Sequence, residues 1–520
     1  MKCLRSMILI LILINIVHGS NFSRKIELSY LDIVREIAQT PDGGYILVGI
    51  LSNPCEGLLF PFLIKFDQND SIIWIKALDI MNLDTAIIPI CPTQDSGCAI
   101  VINSDFMVTA PKTTIVKYSK SGRIQWATQI SFPYTISVWR FPDITQISDE
   151  GFIILIPITI SSSNSRIGVF KLNLAGTLEW SKTISTPNSV TKAKVVPETN
   201  NKFTVALQTF APGTNSIVLA QLRSSARAIR TRQFSFPLDV ELSDFKKTSD
   251  GGYIVAGKCR DAIGYWNIFL IKVDSILSLN WAKIFGINRM NLAVNHVAQT
   301  FDGGYIIAGQ LIKNYSLKEF LVAKFDSAGD LKWAKVIPDS LSSAEDLFQK
   351  QDSSIIVVGK TTKYARYVQA SILAKFERNG YNCLTVDTML TSSIMSPSIS
   401  LGIVRAETLL ITSSHPTVVD TPIPYIDSLI CYSTKVAEET KTPVPLTVIL
   451  QPNPFNNACV ISAPNAASIE IFDISGKRIA QYRRPNVLWK PDEKLGSGVY
   501  IVRIRLRNGK TLSYRAFFIK

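Results

Sequence analysis

The chain has 520 residues and a formal net charge of +14, and 47% of its residues are hydrophobic whereas only 18% are charged. This composition is too apolar and too weakly charged for an intrinsically disordered protein, and 27 glycines are far too few for a collagen-like repeat. Only 3 histidines are present, so chemistry based on metal ions or on histidine is a poor first expectation.

The first 20 residues have the pattern of a secretory signal peptide. Lys2 and Arg5 precede an apolar run over residues 7–17, and residues 18–20 are small or polar. A membrane-spanning helix needs about 20 apolar residues, and this run is much shorter. We therefore expect a signal peptide over residues 1–20, export of the mature chain and no transmembrane anchor.

Seven cysteines remain after residue 20, and they form no Cys-x-x-Cys doublet. Zinc binding is therefore not expected. An odd number leaves at least one free thiol within a single molecule, and we interpret most of these cysteines as small apolar residues in strands.

An internal repeat of about 51 residues extends over residues 21–433. Its clearest copies contain Asp-Gly-Gly-Tyr followed by an apolar strand, and they begin at Asp42, Asp250 and Asp302. Weaker copies keep the same interval, so that one aromatic or apolar position recurs eight times, at residues 45, 98, 152, 203, 253, 305, 355 and 409.

A second set of positions recurs with the same period. It consists of Trp74, Trp126, Trp180, Trp281 and Trp333, with Arg230 near the place of a missing tryptophan. Each tryptophan strand follows an apolar strand, and in several periods that strand carries a lysine: Lys65, Lys272, Lys324 and Lys375.

Each period thus contains four short β-strands, which is typical of a β-propeller blade. The sequence predicts an all-β protein with an eight-bladed propeller. Seven blades is the alternative if the degraded last unit forms no blade, and a solenoid is the remaining one. Residues 25–28 supply a strand that the last unit lacks, so we expect the N-terminus to pair with the last blade and close the propeller.

The repeated residues have structural interpretations. Asp42, Asp250 and Asp302 could be calcium ligands, but aspartate before Gly-Gly is more often a turn residue. A tryptophan that recurs once per blade is expected in the packing between blades rather than in a sugar-binding platform. The recurring lysines favour a structural role as well.

A polar segment, residues 434–445, has the composition of a linker, and the repeat stops there. Residues 446–520 show alternating strands and turns that predict a small Ig-like β-sandwich. Its distinctive positions are Pro452, Asn453, Pro454, Phe455, Asp473, Gly476, Gly498, Tyr500 and Lys520.

In this order, these residues resemble the type A C-terminal sorting domain of the bacterial type IX secretion system. The resemblance covers residues 446–520. It implies that the domain is a transport signal recognised by outer-membrane machinery, usually cleaved during export, and that the cargo is released or attached to the cell surface.

The repeats resemble secreted bacterial propellers that carry this kind of tail. They are also similar to the repeats of pyrroloquinoline-quinone enzymes, but those enzymes use two adjacent cysteines, and no two cysteines are adjacent here. We therefore expect no cofactor.

No catalytic, cofactor-binding or metal-ligating residue is predicted. Only His296 and His415 remain after the signal peptide, and no Gly-x-Ser-x-Gly, His-Glu-x-x-His or phosphate-binding motif is found in its required context. Four acids lie outside the repeat pattern, and nothing in the sequence pairs them: Asp143, Glu241, Asp261 and Glu345.

The expected function is a non-enzymatic surface or secreted binding or scaffold module with a protein or glycan ligand. The alternative is a carbohydrate-active or other hydrolytic enzyme that uses a pair of carboxylates. Residues 446–520 contain 12 Lys or Arg against 4 acids, and Arg503, Arg505 and Arg507 alternate. The basic excess therefore belongs largely to the tail, so we expect no nucleic-acid partner, and we expect a monomer.

Overall fold

The computed structural model describes residues 21–520 with internal gaps. The gaps are 28–31, 53–58, 79, 81–87, 105–110, 133–136, 139–140, 162–163, 212–213, 237–238, 315–316, 339–340, 363–369, 409–410, 415, 417–419, 422–425, 434–448, 452–454, 464–465, 493 and 507–510. The predicted signal peptide and linker lie outside the described residues. The chain divides into two compact units, Met1–Lys435 and Val436–Lys520.

The first unit is built from antiparallel sheets whose strands are consecutive in the chain. Tight turns with positive φ, at Gly43, Gly251 and Gly303 among others, connect the first and second strands of each repeat. The first eighteen strands are β1 (Asn21–Glu27), β2 (Asp32–Gln39), β3 (Tyr45–Ser52), β4 (Leu59–Phe66), β5 (Ile72–Leu78), β6 (Ile90–Pro92), β7 (Cys98–Ser104), β8 (Lys112–Tyr118), β9 (Ile124–Ser131), β10 (Ser137–Val138), β11 (Asp143–Gln146), β12 (Phe152–Ser161), β13 (Asn164–Leu172), β14 (Leu178–Ser185), β15 (Ser189–Pro197), β16 (Phe203–Ala211), β17 (Thr214–Leu222) and β18 (Ala228–Phe236).

The following strands continue the repeats and then become short. They are β19 (Val240–Lys247), β20 (Tyr253–Arg260), β21 (Trp266–Val273), β22 (Leu279–Gly286), β23 (Asn291–Gln299), β24 (Tyr305–Asn314), β25 (Leu317–Phe325), β26 (Leu331–Ile337), β27 (Ser343–Gln349), β28 (Ile355–Thr361), β29 (Ala370–Phe376), β30 (Val386–Asp387), β31 (Thr391–Ile394), β32 (Ser398–Ser400), β33 (Arg405–Thr408), β34 (Thr412–Ser414), β35 (Asp420–Thr421) and β36 (Ile426–Ser433).

Within the described residues these strands form seven sheets, which are the blades of a propeller. Blade 1 contains β2–β5, blade 2 β6–β9, blade 3 β10–β14, blade 4 β15–β18, blade 5 β19–β22, blade 6 β23–β26 and blade 7 β27–β29. The inner strands, β2, β6, β11, β15, β19, β23 and β27, each contact the next, and β27 contacts β2. They therefore enclose a central channel.

The N-terminal strand closes the propeller, as the sequence predicts. Strand β1 lies between β29 and β36 in blade 7 and pairs antiparallel with both. Phe22 stands opposite Lys375, in the register that the tryptophans occupy in other blades. Both ends of the propeller segment therefore meet in one sheet.

The last strands of the propeller encircle it from blade to blade. Within residues 386–433, which we call the strap, the described strands add a further outer strand to each blade in the reverse of chain order. The pairs are β30 with β26, β31 with β22, β32 with β18, β33 with β14, β34 with β9, β35 with β5 and β36 with β1.

The preference for eight blades is therefore corrected, and the seven-bladed alternative holds. The eighth copy of the repeat, around Ala406 and Glu407, is part of β33 and pairs with blade 3 instead of forming a blade. The physical reason is that strands of two to four residues cannot bury a sheet of their own, whereas they can extend the exposed edge of an existing one.

The repeated tryptophans pack between blades, as predicted. Trp281 Nε1 donates a hydrogen bond to the Ser327 carbonyl of blade 6 at 3.3 Å, and Trp74 and Trp126 make the equivalent bond to blades 2 and 3. Beneath the Trp281 ring lies Gly329, with a φ of +79°, where an added Cβ would be 2.8 Å from the ring.

The repeated aspartates and lysines form ion pairs inside the blades. Lys324 is buried, and its ammonium lies 2.6 Å from Asp302 Oδ2 while Asp302 Oδ1 accepts the Gly304 N–H of the turn. The equivalent pairs are Lys65–Asp42, Lys117–Asp95, Lys171–Asp149, Lys272–Asp250 and Lys375–Asp352. In blade 4 both partners differ, because Gln221 and Asn200 take the two positions.

The second unit contains seven described strands in two sheets. They are β37 (Ile449–Gln451), β38 (Cys459–Ser462), β39 (Ala466–Phe472), β40 (Arg478–Tyr482), β41 (Asn486–Trp489), β42 (Gly498–Leu506) and β43 (Thr511–Phe518). Sheet β37-β38-β41 and sheet β40-β39-β42-β43 share one apolar core around Trp489, as a small β-sandwich does.

Among the described cysteines, Cys91, Cys98, Cys259 and Cys459 are buried thiols outside disulfides, and Cys383 is in a disulfide. The four buried thiols lie in strands, in agreement with their interpretation as small apolar residues.

Two glycine substitutions in blade 6 test the tryptophan packing. Gly303 and Gly329 have nearly the same φ, +78° and +79°, but an added Cβ at Gly303 meets nothing within 4 Å. We expect Gly303→Ala to cost about 1–2 kcal/mol from backbone strain alone. Gly329→Ala should cost about 1–3 kcal/mol more, because the methyl group overpacks against Trp281. Equal losses in urea unfolding would contradict the packing role of Trp281.

The natural exception in blade 4 suggests a test of the ion pairs. Lys324→Gln removes the buried cation that faces Asp302 and leaves this carboxylate with the exposed Arg378, whose Nη2 lies 3.7 Å from Asp302 Oδ2. We expect it to destabilise the propeller by about 1–3 kcal/mol. The double variant Lys324→Gln/Asp302→Asn copies blade 4 and should be more stable than the single variant by about 1–2 kcal/mol. Additive losses in chemical denaturation would show that the two residues are energetically independent.

Candidate functional site

The central channel contains a cavity of about 670 Å³ that is lined by the inner strands. This volume is in the range of small-molecule sites. The lining combines several acids, several lysines, one arginine and one histidine with apolar residues such as Phe141 and Phe348.

Half of these acidic and basic residues occupy one position of the repeat. This position lies nine residues before the aromatic or apolar residue of the turn, as Glu36 does before Tyr45. Its polar members, which we call the channel ring, are Glu36, Asp143, Lys194, Asp244, His296 and Asp346. Blade 2 has Pro89 at this position.

A local irregularity of the inner strands accompanies the channel ring. In blades 1, 5, 6 and 7 a β-bulge lies immediately before the ring residue. A bulge locally interrupts the strand ladder and re-aims the side chains next to it.

Each acid of the channel ring is bonded to the next blade. Its carboxylate accepts a backbone N–H from the neighbouring inner strand, one residue after that blade's own ring position. The bonds are Ile90 N to Glu36 Oε2 (3.1 Å), Val195 N to Asp143 Oδ2 (2.7 Å), Val297 N to Asp244 Oδ2 (3.0 Å) and Ile37 N to Asp346 Oδ2 (2.8 Å). These carboxylates therefore help to join the blades around the channel.

The basic members of the channel ring alternate with acids. Lys194 Nζ lies 3.4 Å from Asp143 Oδ1 and 4.0 Å from Glu36 Oε1. Two blades further along the ring, His296 Nδ1 lies 3.2 Å from Asp244 Oδ2 and 2.6 Å from Asp346 Oδ1. Lys194 and the imidazole of His296 thus each lie between two carboxylates.

Burial and the neighbouring charges shift the pKa values of the channel-ring residues in different directions. Burial raises the pKa of Glu36 from 4.5 to about 7, Lys194 opposes this shift, and the charges of Asp346 and Asp143 add to it. Burial alone would lower the pKa of Lys194, but the acids Asp143, Glu36 and Asp244 outweigh it and raise that pKa. Burial alone would raise the pKa of Asp244. The neighbouring groups Lys246, His296 and Lys194 outweigh burial and hold this pKa low.

The structure brings together three of the four acids that lie outside the repeat pattern. Asp143, Glu241 and Glu345 line the channel cavity. Asp261 does not, because its carboxylate accepts the N–H groups of Ile263 and Tyr265 in a turn of blade 5. His415 lies outside the described residues.

Sequence reasoning missed Glu36, Lys192, Lys194, Asp244 and Asp346, and it treated His296 as a lone histidine. The signal was a repeat position that is polar in most blades but changes identity from blade to blade. A search for recurring residue types overlooks such a position, whereas a comparison of polarity at each repeat position finds it.

No described group of three or more His, Cys, Asp or Glu side chains is arranged to hold a metal ion. The described part of the chain likewise has no helix with the length and apolar character needed to cross a bilayer. The channel offers buried carboxylates, ammonium groups and one imidazole, which suit hydrogen bonding and charge recognition.

Most of the described sorting-domain positions meet near the C-terminal strand. The N–H of Phe455 donates to the Phe517 carbonyl at 2.9 Å, and its ring packs against Phe518 in the core. Tyr500 contacts Phe518 as well, and Gly498 is paired with Phe518 in the sheet. The N–H of Lys520 donates to Ser497 Oγ at 2.8 Å.

The other two described positions lie elsewhere in the sandwich. Asp473 and Gly476 form the β39–β40 turn, where Asp473 Oδ1 accepts the N–H groups of Ser475 and Lys477 and Gly476 has a φ of +83°. Pro452, Asn453 and Pro454 lie outside the described residues.

Comparison with known proteins places the second unit in a family. Residues 450–519 match the family described as the secretion system C-terminal sorting domain. No curated protein sequence matches the chain.

Three solved structures with distant similarity to the chain illustrate the match. Polysaccharide lyase Uly1 is 8% identical with a TM-score of 0.37, over 66% of this chain and 90% of that chain. Cobalt-substituted Synechocystis ACO is 9% identical with a TM-score of 0.37, over 70% of this chain and 96% of that chain. The WD40 domain of SCAP from fission yeast is 10% identical with a TM-score of 0.33, over 69% of this chain and 96% of that chain.

The sheet topology, together with the family match at residues 450–519, identifies the chain as a secreted β-propeller protein with a type IX secretion C-terminal sorting domain.

Proposed function

We propose that the propeller is a non-enzymatic binding module of the cell surface or the secreted fraction, and that its ligand, a protein segment or a glycan, enters the central channel. The observation that carries this proposal is the channel cavity of about 670 Å³ at the meeting point of the inner strands, with charged side chains in its lining. A scaffold that only needed to be stable would gain more from an apolar core, because buried charges carry a desolvation penalty.

The bonding of the channel carboxylates supports binding rather than hydrolysis. A hydrolytic pair needs one carboxylate free to act as a nucleophile or base and one acid free to donate a proton. Here Asp143, Asp244 and Asp346 each accept a backbone N–H and also face a lysine or a histidine. Their geometry is that of groups holding the channel wall in shape.

Glu36 favours a second candidate function, a hydrolytic enzyme. Its pKa of about 7 would keep a large fraction of the carboxyl protonated at neutral pH, as a general acid requires. Asp143 lines the same cavity and lies with Glu36 around Lys194. In this function Glu36 would donate the proton and Asp143 would act as the second carboxylate.

We further propose that residues 1–20 are a signal peptide, 434–445 a linker and 446–520 the part recognised by the type IX outer-membrane machinery. Support comes from the packing of Phe455 against Phe518, which ties the start of the sorting domain to its last strand. In this proposal the motif residues Phe455, Gly498 and Tyr500 preserve the shape of the domain, and the C-terminal end around Lys520 is presented to the machinery.

Binding and hydrolysis assays with one variant distinguish the two candidate functions. The full-length protein and Glu36→Gln are applied to a glycan and peptide array and incubated with the same glycans. A binding module binds without releasing product, and Glu36→Gln keeps its affinity within about threefold, because glutamine can still accept the Ile90 N–H. Product release that Glu36→Gln lowers by about 100-fold or more would establish the enzyme instead.

The raised pKa of Glu36 also predicts a pH dependence of stability. An acid whose pKa is higher in the folded state loses stability as pH rises, here from about 4.5 to about 7. Glu36→Gln cannot ionise, so it should match the wild type near pH 5 and exceed it at pH 8 by roughly 2–3 kcal/mol. Thermal melts at both pH values test this, and a variant less stable than the wild type at pH 8 contradicts it.

A further inference from the structure

Lys192 is a cation of the channel that has no carboxylate partner among the residues that the structure describes. It lies on β15 two residues before Lys194, lines the cavity and is only partly exposed. Among the described residues its ammonium has no hydrogen-bond acceptor and no ion pair, and its contact is with the face of Phe141, 5.0 Å from the ring centroid. A cation–π contact of this kind compensates only part of the cost of removing an ammonium group from water.

The acids near Lys192 are engaged with other cations. Glu241 Oε2 lies 2.9 Å from Lys258 Nζ. Asp244 faces Lys246 at 3.6 Å and His296, and it accepts the Val297 N–H. Blades 4 and 5 thus line the cavity with four lysines, Lys192, Lys194, Lys246 and Lys258, and with two acids, Glu241 and Asp244. Because Lys194 pairs with Asp143 of blade 3, one lysine of this side is left without a carboxylate partner in the described part of the chain.

The titration of Lys192 agrees with this geometry. Burial lowers its pKa from 10.5 to about 8, and Lys194 and Lys258 act in the same direction, whereas Asp244 and Glu241 oppose them. A lysine that only stabilised the fold would be expected to have a carboxylate partner, as Lys194 has in Asp143.

We propose that Lys192 is the binding site for an anionic group of the ligand, a carboxylate, a sulfate or a phosphate, in the wall of the channel next to Phe141. This inference rests on the proposed binding function, because it places one chemical group of the ligand within the channel. An anion at this position supplies the missing counter-charge, and the Phe141 face offers an apolar surface to the part of the ligand that carries the anion.

Two neighbouring variants of the full chain test the first half of the proposal without any ligand. At pH 7, Lys192→Met removes an uncompensated charge and should raise the melting temperature by a few degrees. Lys194→Met leaves Asp143 and Glu36 facing each other without their cation and should lower it. If Lys192→Met lowers the melting temperature as Lys194→Met does, Lys192 is structural and the proposal is overturned.

Titration of the lysine itself tests the second half. The protein is reductively methylated with ¹³C, the Lys192 signal is assigned by its absence in Lys192→Met, and its pKa is followed with sodium sulfate, phosphate or glucuronate. The anion that binds should raise this pKa by about one to two units, and comparison of the three distinguishes the sources of the charge. No change with any of them at millimolar concentration overturns the proposal.

The outcome separates this inference from the proposed function. Anion binding at Lys192 without binding of any glycan or peptide on the array leaves the anion site standing and rejects the binding module as proposed. If Lys192→Met leaves glycan or peptide binding unchanged, the binding function is supported, but Lys192 is not its anion site.

Discussion

The structure depends on closing a circle of blades with a single chain. An open series of blades would leave unpaired strand edges at both ends, and such edges invite association with other chains. Here the N-terminal strand β1 is inserted between β29 and the final strand β36, so blade 7 is complete only when both ends of the propeller segment are in place. The strap then extends every blade at its outer edge, and the channel at the centre has its shape because the circle is closed.

Repeated residues stabilise the blades and the contacts between them, whereas residues that vary from blade to blade line the channel. The Lys–Asp pairs and the Trp–Gly contacts recur because each blade meets the next in the same geometry. Blade 4 departs from the pattern at Gln221, Asn200 and Arg230, and the same blade places Lys192 and Lys194 in the channel. In the channel, the side chain at one repeat position changes from one blade to the next, and this variation suits the proposed ligand site, in which different blades would contact different parts of one ligand.

Much of the fold could be predicted from the sequence because blade packing imposes the same residues every 50 or so positions. The turn aspartates, the tryptophans and the closing strand near Ile26 follow from that constraint. The number of blades does not, since the strap strands are too short to show a period of their own and Ala406 lies where an eighth copy is due. The channel ring was also missed, because Glu36, Lys194 and His296 share a position without sharing a residue type.

The central proposal is that the channel binds a ligand and that Lys192, on the basic side of the channel, binds an anionic group of this ligand. A crystal structure of the full chain grown at pH 7 with selenate tests it most directly, because selenium gives an anomalous signal that marks the anion. We predict an anomalous peak beside the Phe141 ring, at the distance from Lys192 Nζ that places one selenate oxygen within hydrogen-bond distance of this ammonium group, and no such peak in Lys192→Met. A channel without the peak in the wild type, at selenate concentrations that label other surface sites, would contradict the account.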